Sequence, residues 1–313
     1  MKKISFVIPC YRSEKTLPKV IEEINSKMKE MSDRYTYEII LVNDSSPDNT
    51  YGVIESLSKT QENIIGIDLA KNFGQHAALM AGFHYVTGDI LVCLDDDGQT
   101  PADEVDKLLD AIEAGEDVAY AKYGHKKHSP FRNFGSWVNE KMLQFLLGKP
   151  KELFVSSYFA ARRFVVDEML KYDKNYPYVI GLVLRSTKHI VNVEVNHRER
   201  EIGKSGYTFK KLITLWMNGF TAFSVTPLRI STYSGVILAA IGFIYGIYTI
   251  IKHFVVRQAP VGYASMMSAL MFIGGMILLM LGMVGEYIGR MYIGVNNAPQ
   301  YVIRNTTNGK KED

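Results

Sequence analysis

Residues 90–99 read Ile-Leu-Val-Cys-Leu-Asp-Asp-Asp-Gly-Gln. Five apolar residues run unbroken into three aspartates. An apolar run of this length without alternation suits a strand covered on both faces, as in a parallel sheet between two helical layers. The same pattern recurs upstream. Residues 4–8 are apolar apart from Ser5 and stop at Pro9, residues 38–42 are apolar after Glu38 and end at Asn43-Asp44, and residues 64–67 and 118–121 form further runs. Between them, Leu17, Val20, Ile21, Ile24 and Met28 recur at helical spacing, as do Val53, Ile54 and Leu57, and Val105, Leu108, Leu109 and Ile112; residues 77–86 also read as helix. Strand and helix in turn predict an α/β domain over residues 1–206, a Rossmann-like parallel sheet with helices on both faces.

Ligands of such sheets bind at the carboxyl ends of the strands. The residues placed there are Pro9, Cys10 and Tyr11, then Asn43, Asp44 and Ser45, then Asp95 to Gln99. Successive side chains of an extended segment alternate in direction, so Asp95 and Asp97 share a face and Asp96 points away. Two carboxylates converging in a cleft repel unless a cation joins them, and hard oxygen ligands suit Mg²⁺ or Mn²⁺. Gln99 continues the alternation and offers a carbonyl oxygen to the ion or to its water. The alternative is an acidic turn capping the next helix, for which Asp103 is better placed. Asp44 has two readings, a hydrogen-bond acceptor for a ribose or base, or part of a helix cap among Ser45, Ser46, Asp48 and Asn49.

Several classes are excluded. No Gly-x-Gly-x-x-Gly follows the first strand, so a dinucleotide site is not expected. Gly203-Lys204-Ser205 resembles the end of a P-loop, but Arg198 stands where the loop needs its first glycine. The seven histidines lack zinc spacing, and no Gly-x-Ser-x-Gly elbow occurs. With 36 Lys+Arg against 33 Asp+Glu, the net charge of +3 argues against a nucleic-acid partner. Cys10 and Cys93 lie in apolar runs and read as buried thiols. A basic cluster, His197, Arg198, Arg200 and Lys204, suits either anionic lipid or bound phosphates, and Arg132 is a further candidate for the latter.

The apolar residues crowd toward the C-terminus. Residues 230–251 and 259–285 carry no formal charge, and about 20 helical residues cross a bilayer core. Two transmembrane helices are therefore expected within residues 229–290. Glycines 242, 246, 274, 275 and 282 fit close helix packing in lipid and permit a homo-oligomer. Residues 207–228 mix Phe209, Leu212, Ile213, Leu215, Trp216 and Phe220 with Lys210 and Lys211, the pattern of helices lying on a membrane surface. Lys210, Lys211, Arg229, Arg290 and Arg304 flank the outer ends, against Lys252 and Arg257 in the connection, which predicts both termini inside. The expected place is a plasma or inner membrane, with the catalytic domain cytoplasmic. Residues 291–313 are expected to form a cytoplasmic tail, frayed after Tyr301.

Taken together, the end of the first strand, Val42-Asn43-Asp44-Ser45-Ser46-Pro47-Asp48, Asn72-Phe73-Gly74 and the Asp95 to Gln99 segment resemble glycosyltransferase family 2. The two spans and the ending Gly285-Glu286-Tyr287-Ile288-Gly289-Arg290-Met291-Tyr292 resemble its polyprenyl-phosphate branch. That branch includes bactoprenol glucosyltransferases, dolichol-phosphate mannose synthases and the undecaprenyl-phosphate aminoarabinose transferase. The resemblance implies a GT-A fold and inverting transfer of one hexose, most simply glucose from UDP-glucose, to undecaprenyl phosphate. It also implies that Pro9 and Tyr11 border the nucleotide, that Asp44 contacts the nucleoside, and that Asp95, Asp97 and Gln99 form the metal and diphosphate site. Arg200 and Ser205 match an Arg-x(4)-Ser stretch near the phosphates, with Lys204 beside them, and Arg132 matches a basic residue near the acceptor phosphate. Asp96 and Gly98 stand where the family usually has small apolar residues. Ser156, Ser157 and Tyr158 stand where some members carry a residue proposed as a base. Two rivals remain, a processive polysaccharide synthase, which usually carries Gln-x-x-Arg-Trp and more spans, and an inactive nucleotide-sugar sensor.

Overall fold

The computed structural model describes residues 1–123, 148–196, 262–295 and 299–308, with scattered positions between 144 and 251. The chain forms two compact units, Met1–Gly219 with Ala298–Asp313, and Phe220–Asn297.

In the first unit, β1 (Lys2–Cys10), α1 (Leu17–Glu30), β2 (Tyr35–Asn43), α2 (Thr50–Thr60), β3 (Ile64–Leu69), α3 (Gln75–Phe83), β4 (Ile90–Cys93), α4 (Val105–Glu113) and β5 (Val118–Tyr123) alternate as the apolar runs predict. There follow β6 (Phe159–Arg162), α5 (Arg163–Leu170), α6 (Val179–Ser186) and β7 (Ile190–Val195), and, after the second unit, β8 (Ile303–Thr307). The strands make one eight-stranded sheet in the order β7-β5-β6-β4-β1-β2-β3-β8.

Period-two alternation explains why the strands are largely apolar, the buried pair Ser5 and Glu38, hydrogen-bonded to each other, being an exception in β1 and β2. Ile4, Phe6 and Ile8 of β1 and Ile39 and Leu41 of β2 share one buried cluster with Leu17, Val20, Ile21, Ile24 and Met28 of α1 and the apolar stripe of α4. The intervening residues face α3, where a Cβ built on Gly82 would lie 2.5 Å from Val7 and 3.1 Å from Val42. Both faces are covered, so both sets of side chains must be apolar.

The sheet is mixed, which corrects the expectation of a purely parallel one. β1, β2, β3 and β4 pair in parallel, and β5 pairs in parallel with β7, but β6 intervenes antiparallel between β4 and β5. Four residues running straight into α5 give β6 too short a pattern to stand out. β1 also continues through Pro9. Its pairing with β4 ends at Val7 and Cys93, so the missing N–H of Pro9 breaks no bond on that side.

The frayed tail is likewise corrected. β8 pairs antiparallel with β3, joining Gly66 to Thr307 and Asp68 to Asn305. Its sequence, Ile-Arg-Asn-Thr-Thr, has no apolar run, because an edge strand is held by main-chain pairing more than by burial. Cys10 and Cys93 are buried free thiols.

The second unit contains α7 (Tyr263–Val295), 33 residues and about 50 Å long. Among the described residues, Phe272–Gly289 is the one stretch long and apolar enough to cross a membrane, and Tyr233–Gly242 forms a shorter apolar helix. Met266, Leu270, Phe272, Leu278 and Leu281 are exposed on α7. The expected surface helices at 207–228 lie outside the described residues apart from Leu228.

Gly82→Val places branched carbons against Val7 and Val42. Overpacking of this kind costs about 1–3 kcal/mol. Thermal unfolding in detergent is expected to show a lowered midpoint for this variant.

Candidate active site

The loops after β1, β2 and β4 meet at the carboxyl edge of the sheet. Asp96 joins two of them. Its Oδ2 accepts the Tyr11 N–H at 2.9 Å and the Ser13 hydroxyl. Arg12, with φ +61°, donates its N–H to Ser46 Oγ at 2.7 Å, and Ser13 donates its N–H to Thr50 Oγ1 at 2.9 Å. Asp96 thus has a structural task, and because β4 ends at Cys93 and Asp96 and Asp97 lie in a turn, the strict alternation expected over Asp95 to Gln99 does not apply. Tyr11 is 45% exposed at the mouth, whereas Pro9 is buried inside β1.

Asp44 is 4% exposed and holds the loop before α3. Its Oδ1 accepts the Phe73 N–H at 2.7 Å, its Oδ2 accepts the Gly74 N–H at 2.9 Å, and its carbonyl accepts Asn72 Nδ2 at 3.1 Å. Burial raises the carboxyl above the ordinary range, and the two N–H donors pull it back. The helix-cap reading does not hold for Asp44: Asp48 receives the Thr50 N–H and hydroxyl at the start of α2.

Asp95 is held by neutral donors. Gln75 Nε2 donates to Oδ1 at 3.0 Å and the Ser157 hydroxyl donates to Oδ2. Burial pushes its carboxyl up to about 6, and the negative charges of Asp97 and Asp96 push in the same direction. Asp97 Oδ1 accepts the Gln99 N–H at 3.0 Å, a tight turn that passes through Gly98 at φ +71°. Gly98 is therefore a backbone requirement. Among the described residues no three His, Cys, Asp or Glu side chains form a closed metal cage. The site instead offers half-buried carboxylates whose like charges oppose the ionisation of Asp95. This suits Mg²⁺ or Mn²⁺, which commonly keep water and substrate phosphate oxygens as their remaining ligands.

Gln75 and His76, in the first turn of α3, were not singled out from sequence; the signal available was their position just after Asn72-Phe73-Gly74. His76 Nδ1 is enclosed without a partner, burial lowers its pKa to about 4, and its ring meets Tyr178 edge-on at 5.1 Å. Arg132, Arg200, Lys204 and Ser205 lie outside the described residues.

None of the three residues at the possible base position is set up as one. Ser156 Oγ donates to the carbonyls of Ala121 and Tyr158, Ser157 serves Asp95, and the buried Tyr158 hydroxyl donates to the Pro101 carbonyl at 3.1 Å.

The glycosyl transferase family 2 model matches residues 5–170, and the GtrB C-terminal hairpin model matches residues 226–291. The chain belongs to glycosyl transferase family 2. It is a glycosyltransferase, with a GT-A mixed sheet. An undecaprenyl-phosphate 4-deoxy-4-formamido-L-arabinose transferase of Proteus mirabilis is 33% identical over 99% of this chain and 96% of its own. The protein of the same name from Yersinia enterocolitica is 34% identical over 100% and 96%. Among solved structures, glucosyl-3-phosphoglycerate synthase of Mycobacterium tuberculosis, crystallised with Mn²⁺, UDP and phosphoglyceric acid, superposes with a TM-score of 0.52 at 17% identity. That match covers 69% of this chain and 77% of that one and supports the fold. These likenesses agree with the resemblance seen in the sequence.

The raised Asp95 pKa sets a sign. The folded carboxyl holds its proton more tightly than the unfolded one, so ionising it weakens the fold as pH rises from about 4 to about 6. Metal-free Asp95→Asn is therefore expected to melt above the wild type at pH 7.5, by up to about 3 kcal/mol, with the gap shrinking toward pH 4. Thermal melts across pH in chelator test this.

Proposed function

We propose that this glycosyltransferase moves one sugar, with inversion, from a UDP-sugar to undecaprenyl phosphate, giving a lipid-linked sugar for cell-envelope glycosylation. The observation that carries the proposal is the half-buried Asp95, whose ionisation the charge of Asp97 opposes, in a chain that also matches the GtrB C-terminal hairpin. A divalent cation held by Asp95 and Asp97, with Gln99 adjoining, would stabilise charge on the departing diphosphate. Tyr11 and Asp44 border the nucleoside, and Pro9 sets the strand end beneath them. Arg132, Arg200, Lys204 and Ser205 are assigned to the phosphates of donor and acceptor, where cations offset repulsion between two anions.

The nucleophile is a phosphate monoester oxygen whose second pKa is about 6, so it is already mostly anionic at neutral pH. The engagement of Ser156, Ser157 and Tyr158 with their neighbours is consistent with a reaction that needs no dedicated base.

Two spans are supported by chain connectivity. The residues before and after the second unit belong to one folded unit. A segment that leaves and returns to one side crosses a bilayer an even number of times, so α7 as one span requires a second, for which residues 230–251 are the candidate. The charge count for the inside termini loses Arg304, which belongs to the sheet, and still leaves four against two. This supports a multi-pass protein of the inner or plasma membrane, with its catalytic domain in the cytoplasm, a tail that is partly sheet, and packing that permits an oligomer.

UDP-glucose is the first donor to test. Nucleotide-linked 4-deoxy-4-formamido-L-arabinose is the second, because relatives named for that sugar align over nearly the whole chain. Mass spectrometry of the lipid product from a panel of nucleotide sugars is expected to show one sugar on one polyprenyl phosphate, abolished by chelator. A polymer would favour a processive synthase. Asp97→Asn is expected to lose at least about 100-fold in rate, since a catalytic cation supplies several kcal/mol; full activity would remove the metal role.

A further inference from the structure

The strand that follows the membrane hairpin brings a charged residue to the far side of the β2 loop. Arg304 of β8 lies with Nη1 3.6 Å from Asp68 Oδ2, and its Nη2 donates to the Ala70 carbonyl at 2.7 Å. Asp68 is buried at the end of β3, in register with Asn43 of β2. Its other oxygen, Oδ1, accepts Asn43 Nδ2 at 2.7 Å. Asn43 is buried in turn, and its Oδ1 accepts the Ser46 N–H at 3.2 Å. That last bond closes the turn containing Ser45, at φ +51°, immediately after Asp44.

These contacts form one chain from the return strand to the strand-end loop. Asp68 is a buried carboxylate, costly to keep charged without a partner. Arg304 supplies the opposite charge, and the ionised Asp68 then orients the Asn43 amide so that its oxygen faces Ser46. Reversing that amide would bring two oxygens together at Asp68 and two N–H groups together at Ser46. The orientation of Asn43 is thus fixed by its two partners, Asp68 and Ser46. The Ala70 contact ties Arg304 also to the segment leading to Asn72, which donates to the Asp44 carbonyl. Both routes converge on Asp44.

We infer that Arg304 is a positioning residue: through Asp68 and Asn43 it orders the Asn43–Ser46 turn and thereby sets Asp44 for the nucleotide. The inference about the turn stands on geometry alone, and its consequence for the nucleotide rests on the function proposed above. The device makes the donor site sensitive to whether the segment beyond the membrane hairpin is docked on the sheet.

The test uses the full chain in detergent, as wild type, Arg304→Gln and Arg304→Lys. Hydrogen exchange is followed at the amides of residues 44–48 and 72–74, and separately at 303–307 to report docking of β8. Binding of UDP with Mn²⁺ and the kinetics of donor and acceptor are measured alongside. Because Arg304 is 60% exposed, a modest effect is expected: Arg304→Gln raises exchange in the 44–48 turn about threefold to fivefold, with β8 still protected. The donor KM rises by a similar factor, kcat and the acceptor KM stay put, and Arg304→Lys restores most of the loss. Unchanged exchange in the turn overturns the inference. So does loss of protection throughout β8 in both variants, which would make strand docking the cause and not the side chain. A loosened turn with unchanged UDP affinity overturns the role toward the nucleotide. A wild type that binds no UDP counts against the proposed donor, while the exchange data still decide whether Arg304 orders the turn.

Discussion

A half-buried carboxylate crowded by like charge at a strand end organises the candidate site. Asp95 follows the end of a strand packed on both faces, beside two further aspartates, and its hydrogen-bond donors among the described residues, Ser157 and Gln75, are neutral. Burial and like charge both oppose its ionisation. Such a cluster costs stability unless a cation offsets its charge. The surrounding framework is consistent with that demand. Asp96 anchors Tyr11 and Ser13, Gly98 supplies the backbone conformation that returns the Asp97 side chain to the Gln99 N–H, and Asp44 clasps the loop from which Gln75 begins α3.

Much of this was legible in the sequence, for definite reasons. The strands β1 to β5 declared themselves because burial on both faces forces unbroken apolar runs, and α1 and α4 because each buries one stripe. Period two did not reach the aspartates: β4 ends at Cys93 and Asp96 and Asp97 lie in a turn, so the partners of Asp96 are set by the turn and not by strand alternation. What escaped was structure whose cause is not local. β6 is four residues long, and β8 is polar because an edge strand is fixed by pairing. The roles of Gln75, Ser157 and Asp68 depend on contacts across 20, 62 and 25 residues, which no spacing rule reaches. Asp44 was ambiguous for the same reason, since a capping residue and a loop clasp look alike until the loop from Asn72 to Gly74 is placed beside it.

The return of the chain after α7 bears on membrane topology and site together. By completing the sheet edge, β8 makes the N-terminal domain and the C-terminal segment one folded body, so the hairpin is a loop out of that body and back. An acceptor that cannot leave a bilayer requires an enzyme held at the bilayer face. The same covalent loop that would hold it there ends in the strand whose Arg304 meets Asp68.

The account turns on whether Asp95 and Asp97 hold a divalent ion together with the donor diphosphate. Electron paramagnetic resonance of Mn²⁺ titrated into the full-length protein, with and without UDP, measures this directly. The account predicts one tightly held Mn²⁺ per chain in the presence of UDP and none above background when either Asp95 or Asp97 is replaced by Asn. Equal Mn²⁺ binding by the wild type and both variants would contradict it.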